Sequence, residues 1–185
     1  MNLKLRHINN RACEINMHYE QYERSYFLSS YYRWILKKCV RIASVNPEMT
    51  VLDYGCGNKI LLQYLPVGID YIGYDTISSF SDVTNIRGKK YNIIFAIQVL
   101  QYINNQGLNE LMSNFSQLCD RLIIMCPTQN MVKRFVDALI GLRQNNMIFK
   151  SSIDDIYKFA NKYYSLQNRQ SVLCFGEISC WEMNT

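Results

Sequence analysis

Residues 49–59 read Met-Thr-Val-Leu-Asp-Tyr-Gly-Cys-Gly-Asn-Lys, a short apolar segment that runs through an acid into two alternate glycines. A helical pattern follows at Ile60–Leu65, so this part of the chain predicts a buried strand, a tight turn and a helix start. Glycines at positions 55 and 57 permit positive φ angles and leave bare backbone for a ligand to contact. The predicted helix start would point free N–H groups and the positive end of the helix dipole at the same turn.

A second acid follows at the spacing of a ribose-binding carboxylate. Residues 71–75 read Tyr-Ile-Gly-Tyr-Asp, a short strand that ends in Asp75, 22 residues after Asp53. A carboxylate about 20 residues beyond a glycine turn can accept hydrogen bonds from both ribose hydroxyls. The dinucleotide fingerprint G-x-G-x-x-G fails, because its third glycine would fall on Ile60. In the alternative reading, Asp53 only caps a helix and Asp75 only begins a turn.

The segment Asp53-x-Gly55-x-Gly57 resembles motif I, D/E-x-G-x-G-x-G, of the class I S-adenosylmethionine-dependent methyltransferases. Lys59 stands where the third glycine of that motif is usual. The resemblance implies that the cofactor is S-adenosylmethionine and that its binding residues include Asp53, Gly55, Cys56, Gly57 and Asp75. It also implies an acid contact to the adenine amine, for which Asp82 is the candidate; a plain loop acid is the alternative.

Residues 91–103, Tyr-Asn-Ile-Ile-Phe-Ala-Ile-Gln-Val-Leu-Gln-Tyr-Ile, begin with a nearly continuous apolar run, which is typical of a central parallel strand. The segment resembles the family pattern "fDlVfa…vLEHi", with Gln101 in place of the usual Glu and Tyr102 in place of the usual His. The resemblance implies that Gln98 lies at the cofactor and that Tyr102 is a candidate catalytic residue. An Asn/Asp-Pro-Pro-Tyr motif, which accompanies methylation of nucleobase amines, is absent after this strand.

The N-terminal segment is rich in aromatic residues and is predicted to be helical from about residue 16 to residue 45. The plain interpretation is a helix packed on the domain. In the family an N-terminal helix often covers the cofactor and the substrate, and a hydroxyl or ring there can reach the methionine carboxylate. That resemblance makes His18 a second candidate catalytic residue and Tyr19 a candidate cofactor ligand, with Tyr22 and Tyr26 as further candidates.

Strands alternate with helices along the rest of the chain, which predicts an α/β fold with a mostly parallel sheet and helices on both faces. An amphipathic helix over 104–118 precedes a strand over 121–127 and a further helix over 130–142. Only fifteen residues, 76–90, separate the second strand from the next, so the sheet is expected to be abbreviated after strand two.

The C-terminal part has two local signals. Ser152 and Asp155 form the S-x-x-D capping box before a helix that is predicted to end near Tyr163. Residues 164–183 predict a hairpin. An antiparallel pair after the last parallel strand resembles the end of the Rossmann-like methyltransferase fold. The expected organisation is an N-terminal helical arm or lid over 1–45 and an S-adenosylmethionine-binding methyltransferase domain over 46–185.

Composition and charge limit the class of protein. The 185 residues are 49% hydrophobic and 19% charged, which indicates a globular chain rather than a disordered one. Residues 1–45 carry the whole net charge of +5, and residues 46–185 are neutral. The basic arm predicts an acidic partner, such as nucleic acid, a membrane surface or a phosphorylated substrate, with a merely solvated helix face as the alternative.

The cysteines and the N-terminus bear on metal binding and location. Seven cysteines without a C-x-x-C pair support neither a zinc site nor a disulfide framework, so no metal is expected. No targeting segment or membrane span is visible, because the N-terminus carries charges and the longest apolar run is too short for a bilayer. The expected location is cytoplasmic.

Methyl transfer needs alignment and exclusion of water more than it needs a catalytic triad. The resemblance favours transfer to an oxygen of a small-molecule or glycan-type acceptor. One alternative is a degenerate methyltransferase-like scaffold subunit that binds a protein partner. Another is an RNA-directed methyltransferase that uses the basic arm. The oligomeric state stays open.

Overall fold

The computed structural model describes residues 26–128, 149–173 and 176–184. Within these ranges the helices are α1 (Tyr26–Ala43), α2 (Asn105–Leu118) and α3 (Ile153–Ala160). The strands are β1 (Thr50–Tyr54), β2 (Asp70–Tyr74), β3 (Tyr91–Ile97), β4 (Cys119–Pro127), β5 (Tyr164–Val172) and β6 (Gly176–Met183). Short 3-10 turns follow β1 and β3, at Ile60–Tyr64 and Leu100–Tyr102.

The described strands form one sheet in the order β2-β1-β3-β4-β6-β5. The strands β2, β1, β3 and β4 run parallel, while β6 pairs antiparallel with both β4 and β5. Consecutive residues of β3, Ile93, Ile94 and Phe95, are all buried, as expected for a strand covered on both faces. The prediction of a Rossmann-like methyltransferase fold with a C-terminal antiparallel hairpin is confirmed.

The amphipathic pattern of α2 buries one face in the main core. Leu108, Met112 and Phe115 are fully buried, and they belong to one cluster with residues of α3 and of the sheet. Trp181 on β6 is also fully buried in this cluster. Complete burial of a large apolar side chain contributes about 1.5–3 kcal/mol, so this face supplies much of the energy that holds α2 on the sheet.

Side-chain caps begin the helices α2 and α3 where the sequence predicts them. Asn104 accepts a hydrogen bond from the backbone N–H of Gly107 at 2.9 Å. Ser152 Oγ accepts from the N–H of Asp155 at 3.1 Å, and Asp155 Oδ2 accepts from the N–H of Ser152 at 3.1 Å. The capping box is therefore confirmed, although α3 ends at Ala160, earlier than predicted.

The sheet is shortened beside β2, as predicted. Residues 75–90 are all described and form turns and irregular backbone without a strand. Part of the open edge of β2 is covered by Asp82, whose Oδ2 accepts from the N–H of Gly73 and whose own N–H donates to the carbonyl of Gly73, each at 2.8 Å. A single acid thus replaces part of the hydrogen bonding that a further strand would provide.

The prediction of a helix after the glycine turn is wrong, because the structure has a short 3-10 segment there. Ile60–Tyr64 is a single 3-10 segment of five residues, and its backbone becomes extended at Leu65 just before Pro66. Proline disfavours helical backbone in the residue before it, which ends the segment early. So short a segment has almost no dipole, so the predicted helix N-terminus cannot attract a ligand at this turn.

The chain divides into two compact units, and the boundary between them lies between Lys37 and Lys38, inside α1. In the first unit the described part is helical from Tyr26 to Lys37. In the second, the last turns of α1 belong with the sheet, where the Ala43 carbonyl accepts from Arg121 Nη1 at 3.0 Å. The helix predicted over 130–142 lies outside the described residues. None of the helices that the structure describes is long and apolar enough to cross a membrane.

Candidate functional site

Three parallel strands end side by side, and a predicted site residue follows each of them. Gly55 follows β1, Asp75 follows β2 and Gln98 follows β3. The backbone N–H groups of Gly55 and Cys56 both donate to the carbonyl of Tyr74, at 2.7 and 3.1 Å. The glycine turn and the end of β2 are therefore held together at the edge of the sheet where ligands bind in this class of fold.

The turn after β1 uses the left-handed backbone region at alternate positions. Gly55 has φ 79°, Gly57 has φ 47° and Lys59 has φ 56°. These are the three glycine positions of motif I, so Lys59 adopts the backbone conformation that a glycine would adopt there. The cost for a residue with a Cβ atom is about 1–2 kcal/mol. Lysine in place of the third glycine therefore adopts the left-handed conformation that glycine adopts most easily.

Gly55 also has no room for a side chain. A Cβ atom added there would lie 2.6 Å from Cγ2 and 2.8 Å from Cβ of Val99. Val99 follows Gln98 at the end of β3, so its side chain fills the space directly over the turn. Both the positive φ angle and this close approach require glycine at position 55.

Asp75 connects the end of β2 to the glycine turn. Its Oδ2 accepts from the backbone N–H of Gly57 at 3.1 Å, and its Oδ1 accepts from the N–H of Ile77 at 2.9 Å. A carboxylate offers about four acceptor sites, so both oxygens can accept further hydrogen bonds. The carboxylate predicted to bind ribose is thus held in one orientation with acceptor capacity left over.

Asp53 is a buried carboxyl group beneath the turn. It is 4% exposed and accepts a hydrogen bond from the Tyr71 hydroxyl at 2.9 Å. Burial raises the pKa of Asp53 to about 7, although the Tyr71 hydrogen bond lowers it and the nearby charge of Asp75 raises it further. The group can therefore change its charge near neutral pH.

This pKa predicts how stability depends on pH. From about pH 4 to pH 7 the unfolded Asp53 carboxyl has lost its proton while the folded one retains it, so the free energy of unfolding should fall as pH rises. Asp53→Asn keeps an oxygen for the Tyr71 hydroxyl and should remove this slope, as measured by urea unfolding at several pH values between about 5 and 8. Asp70, Asp82 and Asp155 have lowered pKa values and titrate below this window. Equal slopes in the two proteins would contradict the prediction.

Asp82 makes protein contacts next to the glycine turn. Besides covering Gly73, it forms an ion pair with the Lys59 ammonium group. The hydrogen bond that the Lys59 ammonium group donates to Asp82 lowers the pKa of this carboxyl group, and the hydrogen bond from the Gly73 N–H lowers it further. The side chain is 40% exposed. Its predicted contact with an adenine amine stays a prediction, and Lys59 would compete for the same carboxylate.

Cys56 acts as a small buried residue rather than as a nucleophile. It is 7% exposed, its Sγ donates to the Phe80 carbonyl at 3.4 Å, and burial raises its pKa to about 12. A thiol with so high a pKa stays protonated and unreactive at neutral pH. The cysteines that the structure describes are free and buried, and no group of three His, Cys, Asp or Glu side chains among the described residues could hold a metal ion.

The segment after β3 presents uncharged polar groups. Gln98 has φ 54°, an uncommon backbone conformation for a residue with a side chain. Gln101 is 3% exposed and its Nε2 donates to the Gln98 carbonyl at 2.8 Å. Burial raises the pKa of Tyr102, with a hydrogen bond from Gln101 partly offsetting it. The Tyr102 hydroxyl is therefore neutral at pH 7 and can donate a hydrogen bond but cannot serve as a strong base.

The remaining predicted residues belong to the N-terminal arm. His18, Tyr19 and Tyr22 lie outside the described residues, and α1 begins at Tyr26, whose side chain is also outside them. Their roles stay predictions. The structure brings together Asp53, Gly55, Cys56, Gly57, Asp75 and Asp82 around one turn, with Gln98 and Tyr102 at the end of the neighbouring strand.

Three residues that belong to this site were not predicted from the sequence. Tyr71 supports Asp53, Val99 closes over Gly55, and Gln101 buries its amide beside Gln98. Tyr71 could have been found, because in parallel pairing its register partner is Val51, two residues before Asp53 on the same face. Burial of Gln101 depends on residues distant in sequence and has no local signal.

Comparisons with known proteins bear on the family and the fold. A family model described as a methyltransferase domain matches residues 22–163. The structure is similar to magnesium protoporphyrin IX methyltransferase (ChlM) from Synechocystis PCC 6803 with bound S-adenosylhomocysteine (SAH), with a TM-score of 0.62 at 15% identity over 91% of this chain and 95% of that one. No curated protein matches the chain in sequence.

A second solved structure is similar over nearly its whole length. The N-methyltransferase NodS from Bradyrhizobium japonicum WM9, in complex with SAH, gives a TM-score of 0.63 at 9% identity over 89% of this chain and 91% of that one. At identities this low, the two structural likenesses concern the fold and not the substrate.

Proposed function

The chain belongs to the methyltransferase-domain family and is an S-adenosylmethionine-dependent enzyme, and on this premise we propose that it methylates an oxygen of a small-molecule or glycan-type acceptor. The proposal has two parts. The first assigns residues to the cofactor, and the second argues for the acceptor atom from the groups at the end of β3.

The residues around the glycine turn fit S-adenosylmethionine. Asp75 has acceptor capacity for the two ribose hydroxyls while Gly57 and Ile77 hold its carboxylate in place. Ionised Asp53 would balance the positive charge of the cofactor, and its raised pKa means that binding would favour loss of its proton. Gly57 leaves bare backbone at the turn, beside the Asp75 carboxylate.

The uncharged character of the segment after β3 is the observation that carries the oxygen proposal. Residues 98–103, Gln-Val-Leu-Gln-Tyr-Ile, contain neither a carboxylate nor an imidazole. An aliphatic amine with a pKa near about 10 is protonated at neutral pH and needs a base before its nitrogen can accept a methyl group. A hydroxyl keeps a free lone pair at the same pH, so amide and phenol groups can orient it, and its proton leaves as the C–O bond forms.

S-adenosylmethionine, when bound, would supply an electrophilic methyl carbon to the lone pair of the acceptor oxygen, and the C–S electron pair would remain on its sulfur. The contribution of this chain is orientation and exclusion of water. Val99 covers Gly55 at the turn, and the neutral Tyr102 hydroxyl can donate to the acceptor. The acceptor proton is released to water, because Tyr102 is not a base at neutral pH.

An isotope experiment tests the proposal. The full-length protein is incubated with a small-molecule extract and, separately, with total RNA, each with an equal mixture of CH3- and CD3-labelled S-adenosylmethionine. We expect paired product masses in the small-molecule extract, and alkaline hydrolysis then separates methyl esters from methyl ethers. Label in the RNA alone would support the RNA-directed alternative. Cofactor binding absent together with label absent from both would support a scaffold role.

A further inference from the structure

Two aromatic rings meet beside the segment that follows β3. The rings of Tyr102 and Phe149 lie edge to face, with their centroids 5.6 Å apart and their planes inclined at 67°. Both residues are half-buried, so both keep accessible surface. Edge-to-face rings attract each other, and this Tyr102–Phe149 pair therefore orients the Tyr102 ring through a residue from a distant part of the sequence.

One close contact and one hydrogen bond place this pair near the glycine turn. Val99 covers Gly55 so closely that a Cβ atom added to the glycine would lie 2.6 Å from Val99 Cγ2. The N–H of Tyr102 donates to the Val99 carbonyl at 3.2 Å, so Tyr102 lies one turn beyond the residue that packs on Gly55. The pair therefore lies towards the carboxyl ends of the parallel strands, where ligands bind in this class of fold.

The segment that carries Phe149 is fastened to the turn after β3. The N–H groups of Lys150 and Ser151 donate to the Gln101 carbonyl at 2.8 and 3.3 Å. Ser151 Oγ donates to the Ile103 carbonyl at 2.5 Å. Phe149 directly precedes these two residues, so its backbone is held at the same edge of the sheet.

The polar side chains of the two segments are largely used within the protein. Gln101 and Ser151 are only 3% and 5% exposed, and both donate to backbone carbonyls. Gln98 and Lys150 keep accessible surface, which leaves few groups to bind the many hydroxyls of a sugar. The two accessible aromatic rings instead offer apolar surface to an acceptor.

The same two segments also lack a base for the proton of an acceptor. Residues 98–103 and 149–151 contain neither a carboxylate nor an imidazole. A phenol, with a pKa of about 10, loses its proton far more readily than an aliphatic hydroxyl, which resembles water with a pKa of about 15.7. Without a base at this edge, a hydroxyl on an aromatic ring is the more reactive acceptor.

We infer that the Tyr102–Phe149 pair binds the aromatic ring of the methyl acceptor, and that a phenolic hydroxyl of this ring receives the methyl group. The inference rests on the proposed function and selects an aromatic small molecule over a glycan. The acceptor ring gains edge-to-face or offset-stacked contacts with the pair. In the reaction the phenol proton passes to water, the oxygen lone pair forms the C–O bond, and the C–S electron pair remains on sulfur.

The test identifies the product and then probes Phe149. Compounds with the CH3/CD3 mass pair are isolated from the small-molecule extract, and their ultraviolet absorption and stability to alkali are recorded. We expect an aromatic methyl ether that resists alkaline hydrolysis. With its demethylated precursor as substrate, Phe149→Ala should raise KM about 10- to 100-fold with little change in kcat, because the lost ring contact is made equally in the ground and transition states. The affinity for SAH, measured by calorimetry, should stay unchanged.

Two controls separate the ring contact from general stability. Phe149→Tyr keeps the ring and should retain the wild-type KM. Phe159 is another half-buried phenylalanine, at the far end of α3, where the Lys162 ammonium lies 4.8 Å from its ring centroid. Phe159→Ala should also retain the wild-type KM. If Phe149→Ala does not fold, Phe149→Leu gives the same comparison, because leucine keeps an apolar side chain without a ring.

The outcomes distinguish this inference from the proposed function. A labelled sugar, or an aromatic product that loses its methyl group in alkali, would overturn the inference and leave oxygen methylation intact. An unchanged KM in the variant that lacks the Phe149 ring would do the same. Absence of any labelled small molecule would overturn both.

Discussion

Asp75→Ala is expected to weaken binding of S-adenosylmethionine and SAH roughly 100- to 10,000-fold. Two hydrogen bonds from ribose hydroxyls to a carboxylate are worth about 1.5–3 kcal/mol each, and the variant loses both. Isothermal titration calorimetry on the folded protein measures the change. Asp75→Asn keeps one oxygen acceptor and should lose less affinity than Asp75→Ala.

The control for this prediction is Asp70→Ala. Asp70 begins β2 on the same strand, but it is exposed and pairs with Lys89 and Thr50 rather than with the glycine turn. Its removal should leave affinity for SAH unchanged. If Asp75→Ala bound SAH as tightly as wild type, the ribose would have to lie elsewhere and the assignment of the cofactor site would fail.

Gly55→Ala is expected to destabilise the protein by about 3 kcal/mol or more. The added Cβ atom would sit 2.6 Å from Val99 Cγ2 at a φ angle of 79°. Overpacking costs about 1–3 kcal/mol and the left-handed backbone about 1–2 kcal/mol more. At this chain length the thermal unfolding temperature should fall by roughly 6–12 °C, as measured by calorimetry or circular dichroism.

Gly68→Ala provides the matched control for that substitution. Gly68 has a similar positive φ angle of 87°, but a Cβ atom there meets nothing within 4 Å. Gly68→Ala should therefore lower the free energy of unfolding only by the cost of placing alanine in the left-handed backbone region. Val99→Ala in the Gly55→Ala background should recover part of the lost stability. Equal losses for Gly55→Ala and Gly68→Ala would show that the contact with Val99 is unimportant.

Some residues of the site were predictable from the sequence, because their residue types are determined by the conformation or charge needed at their own positions. Gly55 and Gly57 follow a short apolar strand directly, and Asp75 ends the next strand at the expected spacing. These residue types are needed for the backbone conformation and the charge at their own positions. The caps at Asn104 and Ser152 were predictable for the same reason, because a cap contacts only residues two or three positions away.

Other features depend on contacts between distant parts of the chain. Lys59 carries no local signal for left-handed backbone, yet the turn requires that conformation and Asp82 pairs with its ammonium group. The helix expected at Ile60–Leu65 became a 3-10 segment, since Pro66 leaves too few residues for helical turns. The backbone carbonyl of Gln101 accepts from Lys150 and Ser151, which lie about fifty positions further along the chain.

Thermal unfolding of the wild-type protein with and without S-adenosylmethionine or SAH tests the central claim most directly. Ligand at about a hundred times its dissociation constant adds about 2.7 kcal/mol, which predicts a rise of roughly 5–11 °C for a chain of this size. Such a rise with SAH, lost in Asp75→Ala, is the result that this account predicts. A folded protein whose unfolding temperature does not change with either ligand would contradict it.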